Sequence, residues 1–124
     1  MVGKIYTSVV PYYDVTTKST RFKGRPVLII GDIRNDDYTV LPISKVSKKQ
    51  FLDLVYDVEV KKIDYPNLKL TCDSYIRVHK QTTVHKTMLG REISDLKYEY
   101  EDLYLSVFEL LEQRNNEIMD GALS

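Results

Sequence analysis

The stretch "PVLIIGDIRNDDYTVLPIS", Pro26 to Ser44, decides the fold class. Its opening "PVLII" is a continuous apolar run suited to a buried strand. "GDIRNDD" supplies the Gly, Asn and Asp that punctuate turns, and "YTVLPIS" resumes as a second strand. Upstream, "KIYTSVV" (residues 4–10) alternates and is rich in β-branched residues; downstream, "YDVEVKKI" (56–63) alternates again until "YPNL" breaks it. Short strands separated by such turns predict a compact barrel or sandwich. Between them, Phe51, Leu52 and Val55 stand at helical spacing in "SKKQFLDLV", so residues 47–55 read as a short helix or loop.

The last quarter changes period. Leu96, Tyr100, Leu103, Val107, Leu110 and Leu111 recur at three and four residues, widened by Tyr104 and Phe108, which predicts an amphipathic helix over about 96–119. Ser94 or Asp95 can cap its start, and Gly121 can end it. Glu99, Glu101, Asp102, Glu109, Glu112 and Glu117 mark its solvated face. The whole is a mainly β chain with a C-terminal helix, expected to form one domain over residues 1–124.

Eighteen Lys and Arg balance eighteen Asp and Glu, so bulk charge argues for neither general nucleic-acid coating nor an acidic tail. Any electrostatic specialisation must be local. Cys72 is the only cysteine, which excludes an internal disulfide and predicts a small buried side chain in a reducing compartment. No apolar run reaches the length of a membrane span, and "MVGKIYTSVV" lacks the apolar core of a secretory signal; a cytoplasmic location away from membranes is expected.

Local charge concentrates in two places. "SYIRVHKQTTVHK" (74–86) holds both histidines, His79 and His85, together with Arg77, Lys80 and Lys86 and no carboxylate. Alternation along a strand turns Ile76 and Val78 to the core and gathers Tyr75, Arg77 and His79 on the other face. Arg77 and His79 then stand about 7 Å apart at their backbones, close enough to meet on one phosphate. Arginine supplies a fork of donors for phosphate oxygens, and imidazole can take or release a proton near neutral pH, the minimum for acid–base chemistry on a phosphodiester. Two histidines six residues apart among cations, with no cysteine or carboxylate beside them, make a poor metal site; no metal or cofactor is expected. The second concentration is "TTKSTRFKGRPV" (16–27), whose Lys18, Arg21, Lys23 and Arg25 can lie along a nucleic-acid backbone. Pro26 restricts Arg25, so that arginine is placed while the other three are mobile. Tyr12, Tyr13 and Tyr75 are the tyrosines best placed to stack on unpaired bases.

Four blocks, "GKIYTSVVPYY", "KGRPVLII", "YTVLPIS" and "SYIRVHKQTTVHKTMLG", followed by "REISDL" and the closing helix, resemble the MazF/PemK (Kid-like) toxins of bacterial toxin-antitoxin systems over about residues 3–113. The resemblance implies a small SH3-like β-barrel with a C-terminal α-helix, a homodimer, a cognate antitoxin and a metal-independent endoribonuclease. Such an enzyme cuts single-stranded RNA by 2′-hydroxyl attack, leaving 2′,3′-cyclic phosphate and 5′-hydroxyl ends. Carried over by position, Arg25 stands at the family's "RP" arginine and would hold the scissile phosphate. Ser44 in "LPIS" stands where a threonine is usual. Arg77 matches an arginine two residues before an acidic catalytic position, which is His79 here. Thr82 to Lys86 replace an "RTIDK"-like stretch, and His85 again stands for an acid.

The resemblance therefore implies Arg25, Ser44, Arg77 and His79 as the catalytic set, with His79 as general base. Lys18, Arg21, Lys23, Tyr75, Lys80, Thr82, Thr83, His85 and Lys86 are the expected RNA contacts. The alternative is a catalytically inactive binding module for RNA or a protein partner on the same barrel. A gyrase-poisoning role, which the same fold also supports through a C-terminal tryptophan, is disfavoured because the chain has no tryptophan.

Overall fold

The computed structural model describes residues 1–124, Val10 by its backbone alone. Seven strands, β1 (Lys4–Asp14), β2 (Ser19–Arg34), β3 (Asp37–Ser44), β4 (Asp57–Val60), β5 (Ser74–Arg77), β6 (Thr82–His85) and β7 (Leu89–Asp95), precede two helices, α1 (Leu96–Glu99) and α2 (Glu101–Leu123). The strands lie in the order β4-β5-β3-β2-β1-β7, with β6 also paired to β3, and the pairings are antiparallel. The sheet curls into a half-barrel with the C-terminal helix against it, the mainly β architecture expected from the strand-then-helix pattern.

The unbroken apolar run in β2 has a direct cause. Leu28 faces the main core with Leu41, Ile43 and Ile76, while Val27 and Ile29 face the opposite side with Val40 and Val84. A strand buried on both faces loses the alternation of a half-exposed one. The helical apolar stripe closes the main core: Leu96 of α1 and Leu103, Tyr104, Val107 and Leu111 of α2 pack onto it. Each fully buried aliphatic side chain contributes roughly 1.5–3 kcal/mol, so the stripe is what holds the helix to the sheet.

Three local features depart from the sequence pattern. Tyr100 (φ −142°, ψ 71°) divides the closing helix, which then runs past Gly121 to Leu123. Residues 47–55, expected as a short helix or loop, are mostly loop with a one-turn 3-10 helix at Lys49–Phe51, so the helical spacing is not carried into an α-helix. Asp53 competes with any longer helix there, because its Oδ1 accepts the backbone N–H groups of Val55 and Tyr56 at 2.9 Å each. Phe51, Leu54 and Val55 are exposed, so a helix in that segment would bury no apolar face. Cys72, expected to be buried, is half-buried, its Sγ 3.8 Å from Ser74 Oγ.

Of the two candidate caps, Asp95 performs the role: its Oδ1 accepts the Tyr98 N–H at 3.1 Å. Ser94 is buried instead, its hydroxyl without a hydrogen-bond partner among the described residues. Asp95→Ala leaves an orphan donor in the first turn and is expected to destabilise the protein by about 1 kcal/mol. A urea titration checks this; an unchanged midpoint would remove the cap from the account.

Candidate active site

Antiparallel register assembles a groove of about 900 Å³ from residues distant in sequence. In the β2–β3 ladder Val27 stands opposite Pro42, and two residues further the same register brings Arg25 beside Ser44. Arg25 Nη1 donates to Ser44 Oγ at 2.9 Å, and its guanidinium lies 5.8 Å from the Tyr12 ring centroid. On the other flank Arg25 pairs with Ser8 of β1, whose hydroxyl donates to the Arg25 carbonyl at 3.0 Å. The arginine is thus held by both neighbouring strands, and its half-buried side chain faces the groove.

The opposite wall is built on Asp57. In the β4–β5 ladder Asp57 is the direct cross-strand partner of Arg77. Arg77 Nε donates to Oδ1 at 2.9 Å and Nη2 to Oδ2 at 3.1 Å, a two-point fork. Oδ2 also accepts the Asp53 N–H at 2.8 Å. The Asp57 side chain is only 1% exposed, so its oxygens are satisfied by these partners rather than by water. The Asp53 carboxyl that anchors this turn is held below the usual carboxylate range by the N–H groups of Tyr56 and Val55.

His79 joins the same carboxylate by a different route from the one alternation predicts. β5 ends at Arg77, and Val78–Lys80 form a 3-10 turn. That turn places His79 Nδ1 3.6 Å from Asp57 Oδ1, an electrostatic contact too long for a hydrogen bond, and Nδ1 has no hydrogen-bond partner among the described residues. Arg77 and His79 therefore converge through Asp57, while Tyr75, expected beside them, donates its hydroxyl to Glu59 Oε2 at 2.9 Å and does not line the groove.

Of the residues singled out in the sequence, Arg25, Ser44, Arg77, His79, Lys80, Thr82, Thr83, Tyr12 and Tyr13 line this groove. Lys18, Arg21, Lys23, Tyr75, His85 and Lys86 do not. Lys18 sits near the β1–β2 hairpin tip with φ 54°, and Arg21 lies 3.6 Å from Asp14. Lys86 pairs with Asp36 at 3.1 Å. His85 caps the 3-10 turn Lys86–Met88, its Nδ1 accepting the Thr87 N–H at 3.2 Å.

Sequence reading missed Asp57, Lys45, Lys48 and Phe51. The two lysines and Phe51 line the groove from the segment after β3. Three lysines within the five residues after "LPIS", Lys45, Lys48 and Lys49, are the available signal for the lysines. Asp57 offered only its place in an alternating strand.

Charge is sorted sharply across the molecule. Among the described residues, the groove is lined by five cations, Arg25, Lys45, Lys48, Arg77 and Lys80, and by no carboxylate. Partial desolvation, then the nearby Arg77 and Arg25 charges, pull the Lys80 ammonium below the ordinary lysine value. Helix α2 and its tail carry the opposite sign, six carboxylates against Arg114 alone. A neutral total thus conceals a surface prepared for an anion in one place. Among the described residues, no group of three His, Cys, Asp or Glu side chains converges as a metal site would require, and no helix is long and apolar enough to cross a membrane.

A family model described as "PemK-like, MazF-like toxin of type II toxin-antitoxin system" matches residues 2–103. No curated protein matches the chain. The matched residues include both walls of the groove and stop at the first turn of α2.

Proposed function

We propose, from the premise that the chain belongs to the PemK-like, MazF-like toxin family of type II toxin-antitoxin systems, that it is an endoribonuclease cutting single-stranded RNA without a metal. The observation that carries this reading is the meeting of Arg25–Ser44 and Arg77–Asp57–His79 across one cation-lined groove. Its partners are single-stranded RNA, a second copy of the chain and a cognate antitoxin, in the cytoplasm.

In this reading Arg25 and the groove lysines hold the scissile phosphate, and Ser44 fixes the Arg25 guanidinium. The Asp57 carboxylate favours the His79 tautomer with its proton on Nδ1, leaving Nε2 as the acceptor toward the groove. Nε2 takes the proton of a ribose 2′-hydroxyl as O2′ bonds to phosphorus and the P–O5′ bond breaks. The 5′ oxygen leaves with a proton from water in the open groove, and a 2′,3′-cyclic phosphate remains. Charge that builds on the phosphoryl oxygens is met by Arg25 and by the part of the Arg77 guanidinium not committed to Asp57.

The experiment is incubation of the protein with a long single-stranded RNA in excess EDTA, followed by end-group analysis. Cyclic-phosphate ends are expected. His79→Ala is expected to slow cleavage by about 10²-fold or more. Because the His79 side chain is only 20% exposed, thermal midpoints read alongside the rates separate lost chemistry from lost folding. Cleavage at the unaltered rate would transfer the base role elsewhere. Salt-sensitive binding of RNA that stays intact would instead favour the non-catalytic binding module.

A further inference from the structure

Phe51 presents an unusual combination. Its ring is 61% exposed and lines a groove otherwise rich in cations, where water gains nothing from an apolar surface. Its backbone, however, is tied down: the N–H donates to the Lys48 carbonyl at 3.0 Å, and its own carbonyl accepts Arg77 Nη2 at 3.0 Å. Arg77 is in turn fixed by the buried Asp57. An exposed loop ring is thus tied through its backbone to an arginine held by a buried carboxylate. Tyr12 and Tyr13 stand on the other bank, on β1, with Arg25 over the Tyr12 face.

We propose that the Phe51 ring is a stacking platform for one unpaired base of the bound RNA strand, gripping the strand from the bank opposite Tyr12. The inference rests on the RNA reading above. Every base has a π-face, so a phenyl ring can hold it without reading its edge, while Lys45 and Lys48 of the same groove meet the phosphates. The tie between the Phe51 carbonyl and Arg77 fixes the stacked base relative to the arginine that faces the scissile phosphate. Phe51 consequently sets the position of the strand in the groove and is a strand-gripping residue that does not discriminate between bases.

Phe51→Ala isolates the ring, because alanine keeps the carbonyl that Arg77 uses. The test is binding of short, fully 2′-O-methylated single-stranded RNA, which cannot undergo 2′-hydroxyl attack, carrying 2-aminopurine at one position in each oligonucleotide of a panel. With the unaltered protein, fluorescence should be quenched at one position of the bound strand. Phe51→Ala should abolish that quenching and weaken binding about 5- to 150-fold, while the slope of log K against log salt stays the same. Phe51→Trp should restore both signals. Lys48→Ala should do the converse, lowering the salt slope by about 0.7 and retaining the quenching. Tight binding by the unaltered protein together with equal affinity and quenching in Phe51→Ala would overturn this inference alone. Failure of the unaltered protein to bind any oligonucleotide would overturn the RNA reading and this inference with it.

Discussion

Arg25→Ala lowers the rate of metal-free RNA cleavage by about 10²–10³-fold, the usual loss when one aimed donor to a developing charge is removed. The expectation comes from how the side chain is held. Flanking strands fix the Arg25 backbone, Ser44 Oγ accepts from Nη1, and the Tyr12 ring lies beneath the guanidinium. None of these partners is a carboxylate, so the positive charge remains available to a phosphate. A guanidinium already oriented in the groove spends little entropy on binding and needs no rearrangement as the phosphoryl charge grows.

The fold should survive the change, since Arg25 contributes no buried ion pair and its core neighbours on β2 are untouched. Arg25→Lys is expected to fall between the two proteins, because an ammonium keeps the charge and loses the fork. Initial rates in EDTA, read alongside thermal midpoints, decide the matter. A folded Arg25→Ala protein that cleaves at the original rate would defeat the phosphate role.

Asp57→Ala is expected to destabilise the protein by about 3–5 kcal/mol, the range for breaking a buried pair by deleting one partner. Arg77 would keep its charge with its side chain only 11% exposed, and it would lose both carboxylate bonds. The Asp53 N–H would lose its acceptor as well. A natural domain has a margin of roughly 5–15 kcal/mol, so this loss removes a large part of it. Replacing both charges together should cost less than the sum of the single changes, because the double variant leaves no orphaned ion. Urea unfolding of Asp57→Ala, Arg77→Ala and the double variant tests this, and additive losses would show that the two side chains do not depend on each other. The pair also carries the Phe51 turn and faces His79, so cleavage by any folded fraction should fall too.

The segregation of charge explains why overall composition was a poor guide to a partner. Six carboxylates on the closing helix offset the groove cations in the total, but the two sets occupy different surfaces. Screening acts over about 10 Å at ordinary salt, so an anion entering the groove would meet mainly the cations that line it.

Local sequence determined the elements, because burial on a strand or helix imposes its own period on neighbouring residues. "PVLII" could only be a strand covered on both faces or a core fragment, and the three-and-four spacing after Leu96 required a helix with one apolar side. Arg25, held by Pro26 at the head of that apolar run, was legible for the same reason: its constraint is local. The order and spacing of the four blocks carried the family resemblance and singled out Arg25 and Ser44 separately; that the two side chains meet is a finding of the structure.

The carboxylate of the site was not legible. Reading positions one by one suggested that acids had been exchanged for His79 and His85 and that no carboxylate stood near. Tertiary structure brings Asp57 to Arg77 from twenty residues away, through a ladder register that neither strand states alone. It also separates the two histidines that sequence had grouped: a 3-10 turn directs His79 to Asp57, whereas His85 is spent capping the next turn. Alternation tells which face a side chain occupies; only the pairing of strands tells what it meets there. The sequence by itself therefore determined the β-rich body, the closing helix and the local constraint on Arg25, and tertiary structure alone decided which charges share the groove and which neutralise each other beneath it.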